Sequence, residues 1–282
     1  MSAALAAALS AACGSNETTG PSPIPPASST IHYTALGASD AIGVGASVSC
    51  IPYADCPNGR GYVQVAVREL RARGFTVNLN NLGLPAAVLS RRVQNLALQY
   101  GRDVLTNFMD QQAPFVQPNS TLVTIFAGGN DVNAITSALG SGAGSADRAG
   151  FLNNQITAFG QDFTAMLQAI RERVPSARIV VLNLPNMGAM PFLASASRDH
   201  RLAAQMLSVG MTRTVFNPLS SSGVMVIDLM CDPRAYQAST YSNDGFHPGD
   251  TGYAWIAAEV VAATTTTYRS PASSCAQMSL VQ

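Results

Sequence analysis

The feature that most constrains this fold is a regular alternation between short apolar runs and longer helical stretches. The five apolar runs are flanked by Gly, Pro or Asn, as buried parallel strands are. They are residues 31–36, 75–79, 121–127, 178–184 and 224–229. The helical stretches are residues 62–73, 88–108, 151–174, 198–219 and 251–265. Strands that alternate with helices predict an α/β fold whose parallel sheet is covered on both faces.

The amino-terminal residues predict export. MSAALAAALSAAC has the apolar core and small-residue end of a secretory signal, although no Lys or Arg precedes Arg60. Leu9 to Cys13 resembles a lipoprotein processing site, with Leu9 one place too far upstream, so Cys13 is a candidate for lipidation. Residues 14–30 are rich in Pro, Ser, Thr and Gly and predict a flexible linker. An alanine-rich helix is the alternative interpretation of the first segment.

We therefore expect three parts: a partial signal or lipoprotein-type segment (1–13), a linker (14–30) and one catalytic or binding domain (31–282). The predicted location is periplasmic, extracellular or lipid-anchored at a bacterial envelope. The chain is 11 % charged with a formal net charge of zero, and all of its basic residues are arginine. Because no basic stripe exists, we expect no nucleic-acid partner. Separately, we predict a monomer.

The cysteines predict two disulfides. If Cys13 carries lipid, the remaining four suit two bridges in an oxidising compartment. Cys50 and Cys56 bracket the short IPYAD loop and are predicted to pair, which leaves Cys231 for Cys275. Four cysteines allow three connectivities, and this choice depends on proximity in the chain alone. Their spacing does not suit a metal site.

Residues with candidate functional groups, either a polar side chain or a glycine N–H, follow four of the five apolar runs. Ser39 follows the first run, Gly83 the second and Asn130 the third, and Asp244 and His247 lie in a loop after the fifth. The carboxyl ends of parallel strands meet at one edge of a sheet, so we expect these groups to converge. A hydroxyl, glycine N–H groups, an amide and a carboxylate–imidazole pair are the components of serine acyl transfer.

Each residue has a role in that chemistry. A serine hydroxyl needs a base, and His247 has the unperturbed pKa for the task, with Asp244 to orient the ring. The Ser39 and Gly83 backbone N–H groups and the Asn130 amide are candidate donors to an oxyanion. Taken singly, each motif is as well explained as a turn or a helix cap, and their joint occurrence in order favours the functional interpretation.

Two other histidines compete for the role of base. His32 is expected at the start of the first strand and His200 at the start of a long helix. Neither has an acidic residue at a nearby strand end. We therefore predict that both are structural.

With these residues in order, the chain resembles the SGNH hydrolases, also called GDSL esterases and lipases, from about residue 31 to 268. The first block, usually Gly-Asp-Ser, is here Gly37-Ala38-Ser39-Asp40, with alanine at the usual aspartate. Gly83 matches the second block, and residues 128–131 match the Gly-x-Asn-Asp of the third. Asp244 and His247 match the Asp-x-x-His of the fifth, followed by the usual proline.

This resemblance implies a flavodoxin-like three-layer α/β/α sandwich with a five-stranded parallel sheet. It also implies a Ser39–His247–Asp244 triad, oxyanion donors at Ser39, Gly83 and Asn130, no metal or other cofactor, and hydrolysis of esters or thioesters. We predict a serine hydrolase acting on small-molecule or glycan-linked carboxylic esters with short to medium acyl chains. The alternatives are a carbohydrate esterase that deacylates polysaccharide and a catalytically inactive, surface-anchored binding protein.

Two segments are expected to form the walls of the substrate pocket. Residues 133–150 contain SALGSGAGSADRAG and predict a mobile surface loop. Residues 186–197 contain NMGAMPFLASAS, whose Met and Phe side chains suit an acyl groove but suit core packing equally well.

Overall fold

A computed structural model describes residues 22–282, so the predictions for residues 1–13, for Cys13 and for residues 14–21 of the linker lie outside the described residues. A sheet of five parallel strands has the order β2-β1-β3-β4-β5, which confirms the predicted sheet. The strands are β1 (Thr30–Gly37), β2 (Thr76–Asn81), β3 (Leu122–Phe126), β4 (Arg178–Leu182) and β5 (Met225–Ile227). This is the flavodoxin-like order, in which the topology switches between β1 and β3.

Within residues 22–282, seven α-helices connect and cover the strands. They are α1 (Tyr62–Ala72), α2 (Arg91–Gln99), α3 (Phe108–Gln111), α4 (Gly129–Gly140), α5 (Arg148–Arg173), α6 (Arg198–Met211) and α7 (Asp250–Thr265). Short 3-10 turns fill several of the connections, including the turn Ser39–Ile42 directly after β1.

The three layers follow from the alternation of side chains along each strand. In β4, Val180 and Leu182 pack with the apolar faces of α1 and α7. Ile179 and Val181 point to the opposite face and pack with α4, α5 and α6. Both faces of the sheet are therefore buried, and the α/β/α sandwich predicted from the sequence is confirmed.

Two helical predictions are corrected. The helix expected over residues 88–108 is shorter, because α2 ends at Gln99, just before Gly101, whose φ of 83° is left-handed, and α3 begins only at Phe108. The helix expected over 198–219 ends as α-helix at Met211 and continues as a π turn and a 3-10 turn to Ser222.

The loop predicted over residues 133–150 is also wrong in its first half. Helix α4 runs to Gly140, and its Val132 and Ile135 are completely buried against the sheet. The high Gly and Ser content of the segment led to the loop prediction, although Val132 and Ile135 form an apolar helix face. Only residues 141–147 connect α4 to α5 without α-helix.

Both predicted disulfides are present. Cys50 pairs with Cys56, and Cys231 pairs with Cys275. The second bridge ties the segment after β5 to the carboxyl-terminal tail, and Gln205 fixes the tail further by bonding both the N–H and the carbonyl of Val281. Among residues 22–282, no helix combines the length and the apolar character needed to cross a membrane.

Candidate active site

The predicted site residues converge at the carboxyl edge of the sheet. Ser39 begins the turn after β1, and Asn130 lies in the first turn of α4, directly after β3. These two segments flank the topological switch point, where ligands bind in open α/β sheets. Gly83 follows β2 on the other side of β1.

An unbroken chain of hydrogen bonds joins Ser39, His247 and Asp244. Ser39 Oγ lies 2.9 Å from His247 Nε2, although 208 residues separate them in sequence. His247 Nδ1 lies 2.6 Å from Asp244 Oδ2. With the proton on Nδ1, the ring donates to the carboxylate and leaves Nε2 free to accept from the serine hydroxyl. The fold thus brings together the three residues predicted to act as nucleophile, base and orienting acid.

The loop that carries Asp244 and His247 stabilises its own geometry. Asp244 Oδ1 accepts hydrogen bonds from Ser242 Oγ (2.9 Å) and from the backbone N–H groups of Phe246 (2.8 Å) and His247 (2.9 Å). Partial burial raises the pKa of Asp244, but these donors and the His247 ring outweigh it and lower the pKa to about 2. The carboxylate therefore stays ionised near neutral pH.

This loop also needs its glycine. Gly245 has a φ of 69°, and a Cβ there would lie 2.7 Å from the backbone nitrogen of Phe192. The Phe192 and Phe246 rings pack edge to face at 4.9 Å, and Phe246 packs in the same way on the His247 ring. The close approach of Gly245 to the Phe192 backbone and the edge-to-face packing of the three rings together fix the position of the imidazole.

The turn that carries Ser39 is held by a glutamine that sequence reasoning missed. Gln112 is completely buried, and its Oε1 accepts from the Gly37 N–H at 2.9 Å while its Nε2 donates to the Gly37 carbonyl at 3.0 Å. One side chain thus satisfies both polar groups of the residue two places before the serine. Nothing in the sequence around Gln112 signals this contact.

Asn81 is a second missed residue. Its Nδ2 donates to the carbonyl of Ala41 at 2.7 Å, and its Oδ1 accepts from the Gly83 N–H at 3.1 Å. Asn81 therefore connects the turn after β1 to the loop after β2. Its place at the end of β2, two residues before Gly83, was the available signal.

The three predicted oxyanion donors differ in their availability. The Ser39 N–H stands at the first position of its turn, where no acceptor exists within the helix. Asn130 Nδ2 donates one hydrogen to the Ala87 carbonyl at 3.0 Å, and the amide carries a second hydrogen. The Gly83 N–H, by contrast, is engaged by Asn81. A Cβ at Gly83 would lie 2.8 Å from Ala41 Cβ, so glycine is needed there to pack the two loops together.

The sequence profile of the GDSL-like lipase/acylhydrolase family matches residues 35–255. The chain belongs to this family. The resemblance seen in the sequence blocks is thereby confirmed, and no curated protein matches the chain at a significant level.

Two solved structures share the fold of this family member. The lipase Lip_vut3 from a goat rumen metagenome is 20 % identical with a TM-score of 0.56, covering 84 % of this chain and 98 % of that one. An extracellular lipase from Streptomyces rimosus is 18 % identical with a TM-score of 0.52, covering 82 % and 99 %. At this identity the likeness establishes the α/β/α architecture.

In its first block this member of the GDSL family has no carboxylate before the serine, where the usual pattern has an aspartate, but it has one directly after the serine. Alanine stands at residue 38, and Asp40 follows the serine instead. Asp40 lines a cavity together with Tyr241 and Trp255. Burial raises the pKa of Asp40 above its usual value, although the nearby His247 ring opposes this shift.

The third-block aspartate is deeply buried. Asp131 is 0 % exposed, and its Oδ1 accepts from the Leu89 N–H at 2.9 Å. Within the described chain its Oδ2 has no hydrogen-bond partner. Burial raises the pKa of Asp131 to about 7, against the lowering effect of the Leu89 bond. Asp131 and Asn130 thus hold the loop between β2 and α2 from adjacent positions.

The cavity that Asp40 lines is largely apolar and also reaches Ala38, so both neighbours of Ser39 line it. Its lining also includes Leu184, Met187, Met190 and Phe246. Met187 and Met190 belong to the segment 186–197 and are also buried in the hydrophobic core, so the acyl-groove role of that segment stays a prediction. Residues 133–150 contribute nothing to the lining within the described chain.

The two other histidines lie outside the site. His32 is in β1, near the Asn119 amide, and His200 is near the start of α6, where burial lowers its pKa. Neither is among the residues that surround Ser39 and Asp244.

Proposed function

We propose that this chain is a serine ester hydrolase that cleaves carboxylic esters of short to medium acyl chains through an acyl-serine intermediate. The observation that carries the proposal is the hydrogen-bond chain from Asp244 through His247 to Ser39, beside an apolar cavity. Membership of the GDSL-like lipase/acylhydrolase family supports the same reaction class.

In the first step Ser39 Oγ bonds to the carbonyl carbon of the ester, and His247 Nε2 takes the hydroxyl proton. The ionised Asp244 stabilises the imidazolium that forms. His247 then gives the proton to the alcohol oxygen as the ester bond breaks, which leaves the acyl group on Ser39. Water, deprotonated by His247, attacks the acyl-serine and restores the serine hydroxyl.

The oxyanion is bound by the Ser39 N–H and by the second N–H of the Asn130 amide. Each such donor typically accounts for about two to three powers of ten in turnover. The Gly83 N–H joins them only if the oxyanion replaces or shares its bond with Asn81 Oδ1. The Gly83 N–H therefore becomes the third donor only when a bound substrate takes over or shares its bond with Asn81.

The acyl chain occupies the cavity lined by Met187, Met190 and Phe246. Methionine side chains are unbranched and adapt to chains of different length. This lining favours an aliphatic acyl group.

The same proposal includes export. The Cys50–Cys56 and Cys231–Cys275 bridges are typical of proteins that fold in oxidising compartments. The leader, the lipidation of Cys13 and the monomeric state remain predictions from the sequence.

Hydrolysis of p-nitrophenyl esters from acetate to palmitate tests the proposal, with the wild type, Ser39→Ala and the exposed-serine control Ser221→Ala in parallel. We expect Ser39→Ala to lose activity by about 10⁴-fold or more and Ser221→Ala to retain it. Mass spectrometry of the protein treated with a fluorophosphonate should find the adduct on Ser39.

Three results would contradict the proposal. Activity retained by Ser39→Ala places the nucleophile elsewhere. Activity on acetylated glycans alone favours the carbohydrate esterase. Folded protein that a fluorophosphonate does not label favours the binding protein.

A further inference from the structure

The loop of residues 48–60, which contains the Cys50–Cys56 disulfide, presents apolar side chains to solvent. Ile51 is 74 % exposed, Tyr53 66 % and Val48 42 %. Single exposed apolar residues are common on protein surfaces, but three large ones within six residues form a patch that calls for a partner. We call these three residues the apolar tip.

The tip is held in this conformation. Besides the disulfide, the Cys50 N–H donates to the Ile42 carbonyl at 2.7 Å, and the Arg60 N–H donates to the Val48 carbonyl at 2.8 Å. Tyr53 has a φ of 62°, a left-handed conformation that is unfavourable for a bulky residue. A loop that is cross-linked and locally strained, yet turns apolar side chains outward, is not explained by packing of the fold.

The base of this loop forms part of the wall of the candidate active site. A Cβ at Gly45 would lie 2.7 Å from His247 Cβ. The Ser47 N–H and hydroxyl bond the two carboxylate oxygens of Asp250, three residues after His247, at 2.7 and 2.6 Å. Val48 is three residues from Gly45, so at most about 11 Å of chain separates the tip from that wall.

We propose that the apolar tip inserts into a lipid–water interface and that the ester substrates are molecules assembled in lipid bilayers or aggregates. Ile51 and Val48 would enter the acyl region, and Tyr53 would lie at the headgroup level with its hydroxyl in water. This inference rests on the ester hydrolase function proposed above. It adds the physical state of the substrate and the surface that meets it.

The size and charge of the tip favour a lipid over a protein partner. A specific protein interface needs about 800 Å² on each side, which three side chains do not supply. A lipid surface demands no shape complementarity. The charged residues in the loop are Asp55 and Arg60, of opposite sign, so we expect binding to zwitterionic lipid with little dependence on salt.

The binding test uses Ser39→Ala as the parent, so that no lipid is consumed. Co-sedimentation with phosphatidylcholine vesicles is measured for the parent, for the parent with Ile51→Ser and Tyr53→Ser, and for the parent with Leu98→Ser. Leu98 is a matched control because it is 62 % exposed but lies on α2. We expect the tip substitutions to weaken vesicle binding about tenfold or more and the control to leave it unchanged.

The kinetic test restores Ser39. The Ile51→Ser, Tyr53→Ser protein should cleave dissolved p-nitrophenyl butyrate at the wild-type rate. On an ester presented in phosphatidylcholine vesicles it should lose activity by about the same factor as vesicle binding. Equal melting temperatures of all variants establish that each is folded.

The proposal is overturned if the tip variant sediments with vesicles as the parent does, or if binding requires anionic lipid and disappears in salt. Loss of a dimer on substitution of the tip would overturn it in favour of a second copy of the chain. Failure of the ester hydrolase itself is distinguishable, because then no variant cleaves the dissolved ester while the Ser39→Ala vesicle test still reports on the tip.

Discussion

The two halves of the candidate site are built in different ways. The acid–base loop, residues 242–249, is fixed mainly by bonds among its own members and by contact with Phe192, and the Asp244 side chain is 47 % exposed. The turn that carries Ser39 is 5 % exposed at the serine and is held by Gln112 and Asn81, which lie 75 and 40 residues from their partners.

This difference separates chemistry from stability. In the acid–base loop a carboxylate surrounded by donors has a pKa of about 2, and solvent can replace part of what a substitution removes. Near the Ser39 turn, Asp131 is buried with a pKa of about 7, and Gln112 has no solvent to replace it. We expect substitutions in the first half to change turnover and those in the second half to change the free energy of unfolding.

The largest effect should come from Asp244→Asn. The asparagine oxygen can still accept the backbone N–H bonds, but its NH₂ group forces the His247 proton onto Nε2, where it cannot accept from Ser39. We expect kcat to fall about 10³–10⁴-fold with little change in melting temperature. Steady-state kinetics and thermal melts measure both, with exposed Asp199→Asn as the control.

A large loss of stability in Asp244→Asn would contradict the comparison, because it would mean that the loop is not locally sufficient. The pH profile of kcat/KM tests the comparison of the two halves further. Since the Asp244 pKa of about 2 keeps the carboxylate ionised, kcat/KM should fall on the acid side well above pH 2, through protonation of another group.

The next effect should come from Gln112→Met. Methionine has a similar volume but removes the acceptor of the buried Gly37 N–H, whereas the Gly37 carbonyl keeps its bond from the Leu84 N–H at 3.2 Å. One unsatisfied buried group costs about 1–3 kcal/mol, so we expect the free energy of unfolding to drop by about that amount. Denaturant titration measures the change, and exposed Gln168→Met is the matched control. If Gln112→Met is as stable as the control, the long-range bonds of Gln112 do not hold the Ser39 turn.

The smallest effect should come from Asp131→Asn and depends on pH. The folded-state pKa of about 7 lies above the ordinary value of 3.8, so the stability contributed by the protonated carboxyl is complete below about pH 4 and is lost as pH rises towards 7. Asparagine does not ionise and can keep the bond to the Leu89 N–H. The melting temperature of Asp131→Asn relative to wild type should therefore increase by a few degrees from pH 4.5 to 8.

Thermal melts at pH 4.5, 6 and 8 measure this difference, with exposed Asp147→Asn as a control for general pH effects. Parallel curves for wild type and Asp131→Asn would mean that Asp131 is not forced to ionise in the fold.

How much the sequence predicts follows the same division. In the Asp-x-x-His block the bonds of the Asp244 side chain span at most three residues, so this part of the loop is specified by the local sequence. The bond from the Phe192 N–H to the Gly245 carbonyl, at 3.2 Å, depends on the fold. Helix α4 was missed although Val132 and Ile135 have helical spacing, because the Gly and Ser residues around them favoured a loop. Gln112 carries no local signal, since Gly37 is brought to it only by the packed sheet. Asn81 has only its place two residues before Gly83 as a signal, and its bond to Ala41 also depends on the packed sheet.

By itself, the sequence determined the α/β class and the order of site residues along the chain, and it predicted the two cysteine pairs from proximity, which the structure confirmed. Alternation of apolar runs and short-range motifs depend on neighbours in sequence, and those are readable. Only the tertiary structure decided which polar groups hold the Ser39 turn, that Asn81 engages the Gly83 N–H, and that the apolar tip begins at the wall of the His247 loop. Apart from the short bond between Asn81 and Gly83, these features join segments that are tens to hundreds of residues apart, and they form only when the sheet and its two helical layers pack together.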